Sequence, residues 1–231
     1  MLAENFKNIQ EKLALACQKV GRDPASVSLL PVSKTFPPEV IAEAAALGYR
    51  RFGENKAQEM KQKAEVLHDL HLSWVIIGHL QTNKAKEVAK YADEIQSLDR
   101  IDLAVALDKR LQKEGRAIDA LIQIKSSTEE TKTGMLAEEV PAFLQSLKTF
   151  DTLRIKGFMT IAENSPDPEV VRCCFRGVSQ LAEKMRQQTG MALPVLSMGM
   201  SGDFELAIAE GATEVRIGSA IFGARHYSVT T

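Results

Sequence analysis

Apolar positions fall into two alternating rhythms along the chain. Short runs of branched residues read as buried strands, and the stretches between them carry helical spacing or helix-forming composition. The runs predict strands over 28–33, 49–53, 72–77, 94–97, 120–124, 153–159, 194–197 and 214–217, the fourth being weak. Helices are predicted over 38–47, 55–68, 84–91, 101–113, 137–147, 168–188 and 204–210. Gly48, Gly115 and Gly211 stand where three of them should stop. Asp167 precedes Pro168, a capping residue followed by a proline suited to the first helical turn. A further helix over 2–16 precedes the first strand, with Leu2, Phe6, Ile9, Leu13 and Ala16 on one face.

Strands alternating with helices imply an α/β fold with a parallel sheet. Eight such units point to a single closed (β/α)8 TIM barrel with an extra N-terminal helix. An open, doubly wound sheet is the alternative, but eight units in 231 residues fit closure better. No linker, low-complexity stretch or charge block divides the chain, so residues 1–231 are expected to form one domain.

Composition narrows the function classes. The chain has 29 basic and 30 acidic side chains, a formal net charge of -1, without the basic excess of a general nucleic-acid binder. No apolar run approaches the roughly 20 residues of a membrane span. The first residues, Met1 to Lys7, mix charges among apolar groups rather than forming a signal-peptide core. Three cysteines, two of them adjacent (Cys173 and Cys174), make no disulfide framework. Reduced, mostly buried thiols in a cytoplasmic protein are expected. His79 has no His or Cys companion at ligand spacing, so no metal site is assigned.

In barrels of this kind chemistry gathers on loops at the C-terminal ends of the strands. Lys34 follows the first strand. A lysine ending a buried strand is partly desolvated, which favours the neutral amine that can attack an aldehyde and form a Schiff base. A rim lysine reaching for solvent is the competing reading. After the seventh and eighth strands come Gly199, Met200, Ser201 and Gly202, then Gly218 and Ser219. Glycines that admit a close backbone approach, serine hydroxyls and nearby helix starts together suit a phosphate, although each loop alone could be a capped turn. Arg216 lies in the eighth strand and faces either the barrel mouth or the surrounding helices. Asn55 precedes a long helix, which favours a cap over a ligand contact.

Six segments in order resemble the pyridoxal phosphate homeostasis (YggS/PROSC) family from about Phe6 to Tyr227. They are Val32-Ser33-Lys34-Thr35, Phe52-Gly53-Glu54-Asn55, residues 77–84, Lys132-Thr133-Gly134, residues 197–203 and residues 215–223. Val75 departs from the pattern by standing where the family usually has a histidine, and no role is assigned to it. The resemblance implies a barrel like the N-terminal domain of alanine racemase, with pyridoxal 5'-phosphate held as a Schiff base on Lys34. It places the phosphate on Gly199, Met200, Ser201, Gly218 and Ser219, Arg216 at the pyridine nitrogen, and Asn55 along the pocket. Lys132 is the next candidate for attachment. The implied role is a monomeric cofactor carrier without robust turnover, which keeps free cofactor low and supplies it to apo enzymes. No nucleic acid or membrane is implied as a partner.

An arginine at the ring nitrogen disfavours its protonation and weakens the ring as an electron sink. That suits storage better than transamination. An amino-acid racemase or lyase on the same lysine is the alternative. A Schiff-base aldolase or sugar-phosphate isomerase on the same barrel is a third reading.

Overall fold

The computed structural model describes residues 1–127 and 133–223, so Lys132 and Tyr227 lie outside the described residues. Its strands are β1 (Ser28–Pro31), β2 (Arg51–Glu54), β3 (Ser73–Ile76), β4 (Glu94–Leu98), β5 (Ile118–Ile124), β6 (Leu153–Thr160), β7 (Val195–Ser197) and β8 (Glu214–Ile217). All pair in parallel in the order β1-β8-β7-β6-β5-β4-β3-β2. The ends of that row meet where Val32 bridges Gly53 and the Ser33 N–H donates to the Gly53 carbonyl at 3.0 Å. The sheet is therefore a closed eight-stranded barrel.

Helix α1 (Leu2–Lys19) precedes β1, and each strand is followed by a helix: α2 (Pro38–Ala46), α3 (Ala57–Val66), α4 (Ala85–Tyr91), α5 (Ile101–Glu114), α6 (Val140–Leu147), α7 (Pro168–Thr189), α8 (Phe204–Ala209) and α9 (Ser219–Phe222). The expected face of α1 is buried, with Cys17 added to it. Each large apolar side chain on that face contributes roughly 1.5–3 kcal/mol. Asn5 Nδ2 donates to the Ile221 carbonyl at 2.7 Å and Phe6 stacks on Tyr49 at 3.7 Å, fixing α1 against α9 and the loop before β2. Asp167 caps α7 as expected, accepting from the Glu169 N–H at 2.9 Å.

One expectation needs correction. Asn55 does not cap the following helix, because α3 begins at Ala57 with Lys56 in the capping position. The thiols are mostly buried as expected, Cys17 and Cys174 inside and Cys173 exposed. The weak fourth strand is a full one. Its pattern is diluted because Gln96 and Ser97 are polar yet fully buried.

Those polar residues belong to the barrel interior. Arg51 reaches Glu94 at 2.5 Å and also Glu214. Gln96 Nε2 donates to Glu94 at 2.8 Å and to Glu214 at 2.5 Å, and Gln96 Oε1 accepts from the Ser197 hydroxyl at 2.7 Å. Burial opposes the Arg51 charge, but Glu214 and Glu94 more than offset it and raise its pKa. Burial pushes the Glu94 carboxyl up despite Arg51, and the like charge of Glu214 adds to that.

Candidate functional site

A cavity of about 480 Å³ opens at the C-terminal rim. Lys34, Asn55, Met200, Ser201, Arg216, Gly218 and Ser219 all line it. Seven of the eight residues expected at a cofactor site therefore share one cavity, although they come from the ends of β1, β2, β7 and β8. The exception is Gly199, which stands behind the wall. Its φ is +98°, and a Cβ there would come within 2.6 Å of the Ala207 Cβ. Only glycine lets this turn close onto α8. The Gly199 carbonyl accepts from the Arg216 N–H at 2.9 Å and so fixes β8 beside β7.

Arg216 points inward, not toward the helices, and is 3% exposed. Its guanidinium donates to the Ser197 carbonyl at 2.6 Å, the Ser197 hydroxyl at 2.9 Å and the Thr160 carbonyl at 2.8 Å. Burial lowers its pKa to about 10, while Glu214 and Asp203 act in the opposite direction. Ser197 Oγ, having given its proton to Gln96, accepts from Arg216. The cavity cation is thereby tied to the carboxylates on the barrel floor.

The hydroxyls of Ser201 and Ser219 lie 3.4 Å apart, bringing the two glycine-bearing loops together. The Met200 N–H is taken by Asp203 Oδ1 at 2.6 Å. The amides of Ser201, Gly202, Ser219 and Ala220 join none of the turn or cap hydrogen bonds of the two loops among the described residues. Gly218 gives this wall its closeness, since a Cβ there would stand 3.2 Å from the Val32 carbonyl. On the opposite wall a Cβ at Gly78 would meet the Asn55 carbonyl at 2.3 Å, so Gly78 leaves room for Asn55 at the cavity.

Sequence reasoning missed several lining residues, among them Phe36, Ile77, His79, Gln123 and Ile161. Position just past or within a strand was the available signal, but in sequence His79 is weighed only as a metal ligand and the others are assigned no role of their own. Thr133 lines the cavity as well, with its carbonyl 3.1 Å from Gln123 Nε2. Among the described residues no group of three or more His, Cys, Asp or Glu could hold a metal ion, and no helix is long and apolar enough to cross a membrane.

Behind the segment that carries Lys34 lies a second polar cluster, which the sequence did not reveal. Ser33 Oγ donates to Glu54 Oε1 at 2.6 Å. Lys63, on α3, donates to the Ser33 carbonyl at 2.8 Å and to Glu54 and Glu59 at 2.7 Å each. Glu59 Oε1 also accepts from the Thr35 N–H at 2.5 Å. Glu54 is fully buried, and among the described residues its Oε2 has no hydrogen-bond partner. Burial pushes its carboxyl up to about 7 against the pull of Lys63.

A family model described as the alanine racemase N-terminal domain matches residues 4–226. The chain is 42% identical over 224 residues to the pyridoxal phosphate homeostasis protein of Aquifex aeolicus, covering 97% of this chain and 98% of the relative. It is 38% identical over 232 residues to the protein of that description from Escherichia coli strain K12, covering 98% of each. The solved structure of PipY from Synechococcus elongatus PCC7942 with PLP bound is similar at a TM-score of 0.85 and 35% identity, covering 96% of this chain and 100% of that one. A buried cation, paired serine hydroxyls and a rim lysine around one cavity thus occur in a chain that belongs to the pyridoxal phosphate homeostasis protein family, built on the alanine racemase N-terminal domain fold.

Proposed function

We propose that this chain binds pyridoxal 5'-phosphate reversibly as a Schiff base on Lys34 and supplies it to apo enzymes that need it. One observation carries the reading: Lys34, Arg216, Ser201 and Ser219 line the same cavity. That donor set fits the cofactor. The cofactor carries an aldehyde, an anionic phosphate and a ring nitrogen, and the cavity offers an amine, two hydroxyls beside backbone amides, and a guanidinium. The relatives' description as homeostasis proteins and PLP in the PipY structure support the same ligand.

Bound pyridoxal phosphate supplies an aldehyde that condenses reversibly with a primary amine. The chain's own residues supply the rest. Lys34 presents the amine. Ser201 and Ser219 donate hydroxyls to the phosphate, and the adjacent amides add backbone donors. Arg216, held by Ser197 and Thr160, opposes a proton on the ring nitrogen, because two cations would then face each other in a buried site. Asn55 borders the ring space. These roles favour holding the cofactor over driving chemistry at a substrate carbon.

Borohydride reduction of the loaded protein, followed by peptide mass mapping, tests the attachment. The label is expected on Lys34, and Lys34→Ala should abolish most of it. Strong labelling that persists in Lys34→Ala would overturn the assignment, with Lys132 the next residue to map. Delivery is read by mixing loaded protein with an apo enzyme in the presence of a free-aldehyde trap. Recovery of enzyme activity despite the trap supports supply, and its absence leaves binding alone.

A further inference from the structure

The geometry points to Glu59 and Lys63 as positioning residues, which clamp the turn bearing Lys34 from behind and aim its amine at the cavity. This inference rests on Lys34 as the attachment residue.

The Phe36 N–H donates to the Ser33 carbonyl at 3.1 Å, closing a four-residue turn around Lys34 and Thr35. Thr35 has φ +70°, and turns of this kind place glycine or asparagine where φ is positive. A β-branched residue there is strained, and such strain persists only where the surroundings enforce it. The surroundings here come from α3. Glu59 takes the Thr35 N–H on one side of Lys34. Lys63 takes the Ser33 carbonyl on the other side and spends its two remaining protons on Glu54 and Glu59. The ammonium thus joins both flanks of the turn into one unit. Lys63 is 5% exposed and does not line the cavity, so it acts through the backbone of the turn rather than on a ligand. An apolar residue could fill the space under α3, but it could not grip the Ser33 carbonyl or orient Glu59.

Stopped-time borohydride trapping of bound pyridoxal 5'-phosphate measures how fast Lys34 attaches. Affinity for pyridoxine 5'-phosphate, an alcohol that cannot attach, measures the cavity itself. Glu59→Ala should slow attachment about tenfold, the equivalent of one charge-assisted hydrogen bond, while pyridoxine 5'-phosphate binds within about twofold of the unmodified chain. Glu59→Gln keeps an oxygen for the Thr35 N–H and should restore most of the rate. Lys63→Met should act in the same direction as Glu59→Ala; if it fails to fold, the Glu59 pair decides the matter alone. An unchanged rate in Glu59→Ala, or equal losses for the two ligands, would overturn the clamp and leave Lys34 as the attachment residue. Full trapping in Lys34→Ala would overturn the attachment residue, and the clamp with it.

Discussion

Arg216 and Ser197 meet at 2.9 Å on neighbouring strands, and the serine hydroxyl passes its own proton to Gln96 rather than to the cavity. The hydrogen bonds therefore run in one direction from the cavity cation down to Glu94 and Glu214. A guanidinium tied in this way is held at the cavity by the barrel's own groups.

Replacing Arg216 with Glu should favour a protonated ring nitrogen, since an adjacent anion stabilises the cationic ring. In a fully loaded protein, exchange of the α-proton of added amino acids into heavy water should rise. Rapid exchange by the unmodified chain would instead favour the racemase reading, and no rise in a loaded Arg216→Glu protein would remove this role for Arg216.

Ser201→Ala or Ser219→Ala should weaken pyridoxal 5'-phosphate binding by about tenfold or more, as expected for a charge-assisted hydrogen bond of roughly 1.5–3 kcal/mol. Pyridoxal, without the phosphate, should bind these variants almost as it binds the unmodified chain. Titration of both ligands checks the contrast.

Two glycines of one loop should respond very differently to alanine. Gly199 combines φ +98° with a Cβ position 2.6 Å from Ala207, so Gly199→Ala should lower the unfolding free energy by on the order of 2 kcal/mol or more. Gly202 has open space where a Cβ would stand. Gly202→Ala should stay within about 0.5 kcal/mol in denaturant titrations without ligand.

Glu54 gives stability a pH dependence of defined sign. Its carboxyl is pushed from the usual 4.5 up to about 7 by burial, opposed by Lys63 and Ser33, with Glu59 adding to the rise. The folded chain then keeps this proton over a range in which the unfolded chain has released it. The contribution is fully present below about pH 4.5 and is lost as pH rises through about 7. Relative to Glu54→Gln, the unmodified chain should lose on the order of 1–3 kcal/mol between pH 5 and 8, read by denaturant titration at each pH.

Much of this was legible in the residues. Apolar runs mark most of the eight strands to within a few positions, because a parallel strand buried on both faces is largely apolar. β4 is the informative weak case. Gln96 and Ser97 look like loop residues until Glu94 on the same strand, with Glu214 and Ser197 from other strands, satisfies Gln96, and the Gly78 carbonyl satisfies Ser97. The rim residues were legible for a different reason, since position after a strand brings them together in any such barrel. Lys63 was not legible. On a charged amphipathic helix nothing distinguishes it from Lys61, which lies 36% exposed beside Glu65. Only the approach of α3 to Ser33 and Glu54 buries one lysine and leaves the other partly exposed.

The seam of the barrel has a consequence for biosynthesis. β1 pairs with β8 along its whole length, so the strand preceding Lys34 waits for nearly the last described segment before its ladder exists. Ser201 and Ser219 arrive equally late. Pairings so distant along the chain close slowly, after the loop entropy between them has been overcome. A chain in which β7 and β8 have not yet joined the barrel thus carries Lys34 without the cavity walls that Met200, Ser201, Arg216, Gly218 and Ser219 supply, and the cavity forms only once both strands are in place.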